Sequence, residues 1–236
     1  MSTFKALQEL ESLYDKMLPA QENSKEAFAW FSGIPHPLFN AVMHLSTNKS
    51  LESKVADLIS QGPNDIPLSF WVHNQNGPND LVTVLKEKGF QSVVTCFLMN
   101  WDIKPTPLPS HQIQIADLEI FHNLLATVFH FDEPTKNGLA KLLANVQAEN
   151  YVLYLNGTPV GAGTLIPNKT TGGIFNIAIL PEHQKKGLGR SMMQFLMNRA
   201  SILGLENLVL LSSPASEKLY SELMFTKCCD IEIYVG

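Results

Sequence analysis

Two glycines and three basic side chains lie close together in the second half of the chain. Gly187 and Gly189 let backbone amides approach a ligand without a side chain in the way, and Lys185, Lys186 and Arg190 add positive charge. Residue types of this kind at this spacing suit an anionic ligand. The residues expected to contact it are Gln184, Lys185, Lys186, Gly187, Leu188, Gly189, Arg190 and Ser191.

A strand before this loop and a helix after it would position these groups. Residues 174–180 form an apolar run between Gly172-Gly173 and Pro181, which is typical of a buried strand. From Leu188 onward, apolar side chains recur at helical spacing, so a helix begins inside the loop. The first N–H groups of a helix have no internal partner, and its dipole favours negative charge there. The alternative interpretation is a tight turn with a solvated basic face.

The pattern Gln184-x-x-Gly187-x-Gly189, after a strand that ends near Pro181, resembles motif A of the GNAT superfamily of N-acetyltransferases. The resemblance implies that the loop binds the pyrophosphate of acetyl-CoA, which is the co-substrate, and that no metal is needed. It also implies that backbone groups of the strand contact the acetyl and pantetheine units. By position, those groups belong to Ile177, Ala178 and Ile179.

A second segment, residues 213–225, resembles the helix of this family that carries Leu-Tyr-x-x-x-Gly-Phe. Tyr220 matches the tyrosine that protonates the CoA sulfur, and an ordinary tyrosine pKa of about 10 keeps it protonated at neutral pH. Ser213 holds a position where members often have Asn or Ser near the pantetheine arm. Met224 departs from the usual glycine, which puts the end of the helix in doubt. The alternative for Tyr220 is a core residue with a satisfied hydroxyl.

The sequence indicates the residues that contact the acceptor substrate less clearly than those of the cofactor loop. His130, Asp132 and Glu133 fall in a predicted loop at 129–134, where the family often shapes its acceptor site, and Asn176 is the polar member of the apolar strand. We take these four as candidate substrate contacts, with surface or structural roles as the alternative. The general base is not readable, and a chain of water molecules is a further candidate.

Proline spacing indicates a division of the chain. Pro105, Pro107 and Pro109 predict a stiff, extended linker. The predicted parts are a degenerate GNAT-like domain at 1–103, the linker at 104–110 and a catalytic GNAT domain at 111–236. The last part is predicted as β-α-α-β-β-β-α-β-α-β, the element order of the acetyltransferase fold, which is an α/β fold with a mixed sheet. One usual element, a seventh strand, is missing from it.

Local patterns give the individual elements of this second half. Asn156-Gly157 between two apolar runs predicts a hairpin. Asp117 is a candidate N-cap for the helix that follows it. The other predicted elements are a helix at 135–148, a strand at 207–212, a helix at 213–223 and a strand at 228–235.

The first half resembles a degenerate copy of the second. Residues 81–90 and 93–99 align with 216–225 and 228–235, and a short apolar strand precedes each pair. The first half lacks the Gln-x-x-Gly-x-Gly pattern, and Leu85 stands where the second half has Tyr220. We therefore expect a tandem protein with one working half. The alternative is convergence of two ordinary helix–strand units.

Composition limits the class of protein. The chain has 236 residues, of which 45% are hydrophobic and 17% charged, which is ordinary for a soluble globular protein. A formal net charge of −5 gives no global basic field of the kind that nucleic-acid binders have. The 3 cysteines form no metal-binding spacing and leave an odd count, which favours reduced thiols. We expect a cytoplasmic monomer or homodimer without a signal peptide, a membrane span or a nucleic-acid partner.

Two functions are compatible with these residues. The first is transfer of the acetyl group of acetyl-CoA to a primary amine, either a small molecule or a peptide N-terminus. The second is a non-catalytic module that binds or senses acyl-CoA. A nucleotidase-type phosphate loop is disfavoured, because the chain contains no GxxxxGK[ST] pattern.

Overall fold

The computed structural model describes residues 1–18, 20–24, 26–46, 50–73, 80–144 and 146–236. Within them the chain forms seven α-helices and a single mixed sheet of eleven strands, which confirms the predicted α/β class. The helices are α1 (Thr3–Met17), α2 (Leu51–Gln61), α3 (Leu81–Glu87), α4 (Leu118–Phe129), α5 (Glu133–Ala144), α6 (Leu188–Ile202) and α7 (Glu217–Glu222). The strands are β1 (Glu22–Asn23), β2 (Ala27–Phe31), β3 (Asn40–Leu45), β4 (Ser69–Val72), β5 (Gln91–Asp102), β6 (Gln112–Ile115), β7 (Glu149–Leu155), β8 (Thr158–Asn168), β9 (Thr171–Ile179), β10 (Asn207–Ser212) and β11 (Thr226–Val235).

Two predicted helices differ from the observed ones at their ends, for local reasons. α5 begins at Glu133 rather than at Thr135, because the Asp132 carboxylate accepts the N–H of Thr135 at 2.9 Å and caps the helix. α7 is shorter than predicted. Residues 213–216 form a hydrogen-bonded turn instead, in which the Ser216 N–H donates to the Ser213 carbonyl at 3.0 Å. Asp117 caps α4 as predicted, through the N–H groups of residues 119 and 120.

Strand β9 creates an opening in the sheet. It pairs in parallel with β10 only at residues 171–173, so the two strands separate beyond Gly173. On its other side, β9 pairs with β8 through a bulge that contains Asn176. Asn176 has a φ of +56°, in the left-handed region that asparagine tolerates better than most residues. The edge of β9 that faces β10 is therefore free of sheet partners from Ile174 to Ile179.

The two halves of the chain exchange strands. The sheet order is β1-β2-β3-β4-β11-β5-β10-β9-β8-β7-β6. β5 of the first half lies between β10 and β11 and is antiparallel to both. β11 of the second half lies between β4 and β5. Each half thus fills a gap in the sheet of the other, and β5 takes the place of the seventh strand that the second half lacks.

The hydrophobic core is also continuous across the halves. Trp101 of β5 stacks on Phe225 with ring centroids 6.1 Å apart, in the cluster beneath α6. Tyr14 of α1 stacks on Trp30 at 4.8 Å and meets Phe175 of β9 edge-on at 5.8 Å. Residues 104–110 form no helix or strand, and the division into domains at that point stays a prediction.

No helix in the described ranges combines the length and the apolar composition needed to cross a membrane. The three cysteines are free thiols.

Candidate active site

The predicted anion loop has the backbone that its glycines suggested. Gly187 is the N-cap of α6 with a φ of +81°, and Lys185 has a φ of +59°. Ser191 donates the first backbone hydrogen bond of the helix, to the Gly187 carbonyl at 3.0 Å. The N–H groups of residues 188–190 precede that bond and have no carbonyl of the helix to reach. They form a set of donors at the positive end of the helix dipole.

Side chains of the loop hold it against the strand. The Gln184 amide donates to the Ile179 carbonyl at 3.0 Å, which ties the loop to the end of β9. Lys186 donates to the Glu182 carbonyl at 2.8 Å. Arg190 forms an ion pair with Glu222 of α7. Lys185 is the exposed cation that remains beside the helix N-terminus.

A cleft of about 740 Å³ joins the loop to the opening in the sheet. This volume lies within the range of small-molecule and cofactor sites. Its walls come from the end of β9, the start of α6, the end of α4, and α7 with the turn before it. Ten predicted site residues line it: Ile177, Ile179, Gln184, Lys185, Gly187, Leu188, Gly189, Arg190, Ser213 and Tyr220.

Three predicted cofactor residues do not line the cleft with their side chains. Ala178 is buried in the cluster under α4, so only its backbone could reach a ligand. Lys186 is exposed and bonded to the loop itself. The Ser191 hydroxyl lies 2.7 Å from His111 Nδ1 and 3.2 Å from the Ser110 hydroxyl, so its side chain connects α6 to the segment before β6. A cofactor contact at these positions stays a prediction.

Tyr220 lies at the inner wall of the cleft and is only 6% exposed. Its ring packs against Phe225 at 6.0 Å, and its hydroxyl has no hydrogen-bond partner among the residues that the structure describes. Burial raises the pKa of Tyr220 to about 12, because the phenolate would lose its hydration. The side chain is therefore a protonated donor at neutral pH.

Met224 stands where the family's helix usually has glycine, and its backbone adopts the conformation that glycine favours. Met224 has a φ of +68°, the left-handed conformation in which helices commonly end on glycine. The Phe225 N–H donates to the Tyr220 carbonyl at 3.0 Å and completes the end of the helix. The helix end is thus formed despite the steric cost of a side chain at this φ.

The predicted acceptor residues lie mostly at helix ends. His130 ends α4 in the left-handed conformation, with a φ of +56°. Asp132 caps α5, and hydrogen bonds from Thr135 lower the pKa of its carboxyl. Glu133, predicted in a loop, is in the first turn of α5 and pairs with Lys136 at 2.7 Å. None of the three lines the cleft, and a contact with substrate stays a prediction.

Several cleft residues were not among the predictions. Ser216 and Leu219 lie on α7 or its N-cap beside Tyr220, and the spacing of four between Ser216 and Tyr220 was a usable signal. His183 precedes Gln184, and its Nδ1 is buried without a protein partner in the described part of the chain. Phe129 gave no signal, because its position depends on how α4 packs on β9.

Phe129 also lines a second pocket, of about 160 Å³. Its wall includes Asn176, whose Nδ2 donates to the Thr164 hydroxyl at 3.1 Å. The bulge in β9 thus lies between two pockets, with Asn176 in one and Ile177 in the other.

Comparison with known proteins agrees with this geometry. No curated protein sequence matches the chain. A sequence model of the acetyltransferase (GNAT) family matches residues 118–225. A GCN5-related N-acetyltransferase from Kribbella flavida has a TM-score of 0.71 at 14% identity, over 100% of this chain and 95% of that one.

Two further solved structures match over nearly the full length. One is a GCN5-related N-acetyltransferase from Sphaerobacter thermophilus, with a TM-score of 0.66 at 10% identity over 97% and 84% of the two chains. The other is a functionally unknown conserved protein from Staphylococcus epidermidis, with a TM-score of 0.66 at 16% identity over 92% and 93%. These matches extend over both halves, consistent with a tandem arrangement. Residues 118–225 thus match the acetyltransferase (GNAT) family model, and the chain as a whole shares the fold of the solved GCN5-related N-acetyltransferases.

Proposed function

We propose that the protein transfers the acetyl group of acetyl-CoA to a primary amine by direct attack of the amine on the thioester. One observation carries this proposal. The 740 Å³ cleft brings together the open edge of β9, the N-terminus of α6 and the protonated hydroxyl of Tyr220. These are a surface for an extended ligand, a site for an anion and an acid.

The donor would lie along the cleft. Its pyrophosphate accepts hydrogen bonds from the N–H groups at the start of α6, with Lys185 as a nearby cation. Its pantetheine arm lies against the strand edge near Ile177 and Ile179, where β10 no longer supplies hydrogen bonds. The thioester then reaches the bulge, close to the wall that contains Tyr220.

The reaction requires loss of a proton from the amine, stabilisation of an oxyanion and protonation of the leaving sulfur. The neutral amine nitrogen attacks the carbonyl carbon, and a C–N bond forms while the carbonyl oxygen becomes an oxyanion. A backbone N–H of the β9 segment is our candidate donor to that oxyanion. As the C–S bond breaks, Tyr220 donates its proton to the sulfur. Among the described residues no carboxylate lines the cleft, and the Nδ1 of its histidine, His183, is buried, so we assign removal of the amine proton to water.

Acetyl-CoA should stabilise the fold. A ligand at about 100 times its dissociation constant adds about 2.7 kcal/mol to the free energy of unfolding. Thermal unfolding with millimolar acetyl-CoA or CoA measures this, with NADH and ATP as controls. An unfolding temperature that does not move with either CoA compound would contradict the assignment of the donor.

Turnover separates the enzyme from a module that only binds acyl-CoA. The decisive measurement is release of CoA over a panel of primary amines that includes polyamines, amino acids and peptides with a free N-terminus. Chromatography is preferable to a thiol reagent, because the protein itself carries partly exposed free thiols at Cys96 and Cys228. Tight binding of acetyl-CoA without an acetylated product from any amine would favour the non-catalytic module.

Substitution of the loop glycines should remove donor binding. In Gly189→Val, the new Cβ would lie 3.3 Å from Leu219 Cδ2, and its branches would occupy the space before the helix N–H groups. Loss of two hydrogen bonds to a charged group, at about 1.5 kcal/mol each, weakens binding by roughly 100-fold. Titration calorimetry with CoA measures the change, and Gly187→Val should behave similarly.

The matched control is Gly204→Val at the other end of α6. Gly187 and Gly204 have φ values of +81° and +71°, and a Cβ at either meets no atom within 4 Å. Both valine variants therefore carry the same kind of backbone strain, but only one lies at the cleft. Equal CoA affinity in folded Gly187→Val and Gly204→Val proteins would show that the loop is only a turn.

A further inference from the structure

The 160 Å³ pocket beside the bulge has a wall of aromatic and aliphatic side chains from both halves of the chain. We call it the apolar pocket. The first half contributes Tyr14, Leu38 and Phe39, and the second contributes Phe129, Phe131 and Asn176, with further aliphatic residues from α1 and α5. We propose that this pocket binds the side group of the acceptor amine, and that this group is an uncharged ring or branched alkyl chain. The inference rests on the proposed acetyl transfer and adds the class of acceptor.

The position of the pocket relates it to the reaction. Asn176 lines the apolar pocket, while the next residue, Ile177, lines the donor cleft. Phe129 is part of both walls. A molecule seated in the pocket would therefore have one end at the bulge of β9, where we place the thioester.

Asn176 supplies a polar contact at that end. The Thr164 hydroxyl donates to Asn150 Oδ1 at 2.8 Å, so it must accept the bond from Asn176 Nδ2. This network fixes the orientation of the Asn176 amide and leaves its Oδ1 to accept an N–H. An amine nitrogen held there would lie between the two pockets with its apolar group behind it.

The walls exclude a charged side group. Among the described residues, no lysine, arginine, aspartate or glutamate lines the apolar pocket. A carboxylate or ammonium placed there would lose its hydration without gaining an ionic partner, which is strongly unfavourable. The acceptor is thus not expected to carry a second charge on the group that enters the pocket.

The volume sets the size of the group. The pocket measures about 160 Å³, and an engineered apolar cavity of about 150 Å³ in another protein binds benzene. A single six-membered ring or an alkyl group of similar size therefore fits.

Access favours the acceptor over the acyl chain of the donor as the occupant. Leu38 and Phe39 belong to a short 3-10 helix, Pro37–Phe39, between β2 and β3, and Leu38 and Phe129 are 38% and 40% exposed. Leu38 lines the apolar pocket but not the donor cleft, so a separate molecule can reach the pocket on this side without passing through that cleft.

The test compares amines on the full-length protein with acetyl-CoA. Benzylamine should show kcat/KM about 100-fold above ethylamine, because the ring adds several buried carbons. 4-(Aminomethyl)benzoate, which carries a carboxylate on the ring, should lose most of that gain. Calorimetric binding of benzylamine to the CoA complex is measured in parallel, so that binding is known independently of turnover.

A variant pair assigns the effect to this pocket. Leu142→Trp adds bulk to the wall from α5, and Leu108→Trp makes the same change at a site that is 80% exposed outside it. Leu142→Trp should lower kcat/KM for benzylamine by about 10-fold or more and leave that for ethylamine within about 3-fold. The reason is that filling the pocket removes only the binding energy of a group that would occupy it. Leu108→Trp should change neither. If Leu142→Trp does not fold, the wild-type amine comparison decides the question.

The outcomes distinguish the inference from the proposed function. Benzylamine that binds without being acetylated would support the pocket and overturn the acetyl transfer. Polyamines or ethylamine acetylated as well as benzylamine would support the transfer and overturn the pocket. A third outcome is that, with ethylamine as acceptor, the protein consumes benzoyl-CoA faster than acetyl-CoA and loses this preference in Leu142→Trp. That result would place the acyl group in the pocket and also overturn the inference. Absence of both binding and turnover with benzylamine overturns it as well.

Discussion

A chain that begins at residue 105 is expected to aggregate rather than fold to a monomer. In the full chain, β5 pairs with residues 207–212 on one side and with residues 226–235 on the other. Without β5, β10 and β11 would each have an unpaired edge facing the gap that β5 leaves. Leu98, Met99 and Trp101 of β5 are almost fully buried, so their loss also opens the core. Unpaired, apolar strand edges are sites of aggregation. Size-exclusion chromatography and thermal unfolding of residues 105–236 measure the result.

Supplying β5 separately is the control for this prediction. Residues 1–103 and 105–236, produced together as two chains, should associate and recover binding of acetyl-CoA, because the exchanged strands need no covalent link. A soluble, monomeric and fully active 105–236 protein would show that the halves are independent and that the tandem interpretation is wrong. It would also remove the first half from the proposed acceptor pocket.

Tyr220→Phe is expected to lower kcat by about 10²–10⁴, the usual contribution of a general acid. The change removes one oxygen, while the ring keeps its packing against Phe225. The affinity for acetyl-CoA should stay within a few-fold, because the sulfur contact is a small part of a long ligand. Product release limits turnover in many enzymes, so single-turnover acetyl transfer should be measured together with kcat.

Tyr151→Phe is the matched control. Tyr151 is also buried, and its pKa is raised to about 12, first by burial and then by its hydrogen bond to Glu149. It does not line the cleft, so its variant should transfer acetyl at the wild-type rate. A wild-type single-turnover rate in Tyr220→Phe would make Tyr220 a packing residue and leave protonation of the sulfur to water.

The pH dependence follows from the raised pKa of Tyr220. With a pKa of about 12, the folded protein keeps the phenol protonated throughout the neutral and mildly alkaline range. The acid is lost only as pH rises through about 12, so Tyr220 should cause no decline of kcat between pH 7 and pH 10. A decline in that interval that is absent from Tyr220→Phe would contradict the burial of this hydroxyl.

Features that depend on neighbouring residues could be predicted from the sequence. The strand, glycine loop and helix around Gly187 are present as expected, and so is the hairpin turn at Asn156-Gly157, with φ values of +51° and +80°. Turn glycines, caps and apolar periodicity act over a few residues, so they can be read without the fold. Tyr220 was predicted from the resemblance to a helix of the family, and it lines the same cleft as the glycine loop.

Features that depend on contacts between distant parts of the chain could not be predicted from the sequence. The sequence showed that a strand was missing, but the insertion of β5 beside β10 joins residues more than 100 positions apart. The bulge at Asn176 results from the pairing of β9 with β8, and the position of Phe129 results from the packing of α4. The sequence placed Asp132 and Glu133 in a loop, whereas the structure has them at the start of α5, and their contact with substrate stays a prediction.

The exchange of β5 and β11 also has a consequence for synthesis on the ribosome. Most proteins of two units complete the N-terminal one first, while translation proceeds at about 5–20 residues per second. Here the sheet of the first half stays incomplete until β11, at residues 226–235, has emerged. The interval between translation of β5 and of β11 is roughly 6–25 seconds at those rates. During it, the nascent chain presents the open edges of β4 and β5, so this protein should depend on chaperones that bind nascent chains more than its size suggests.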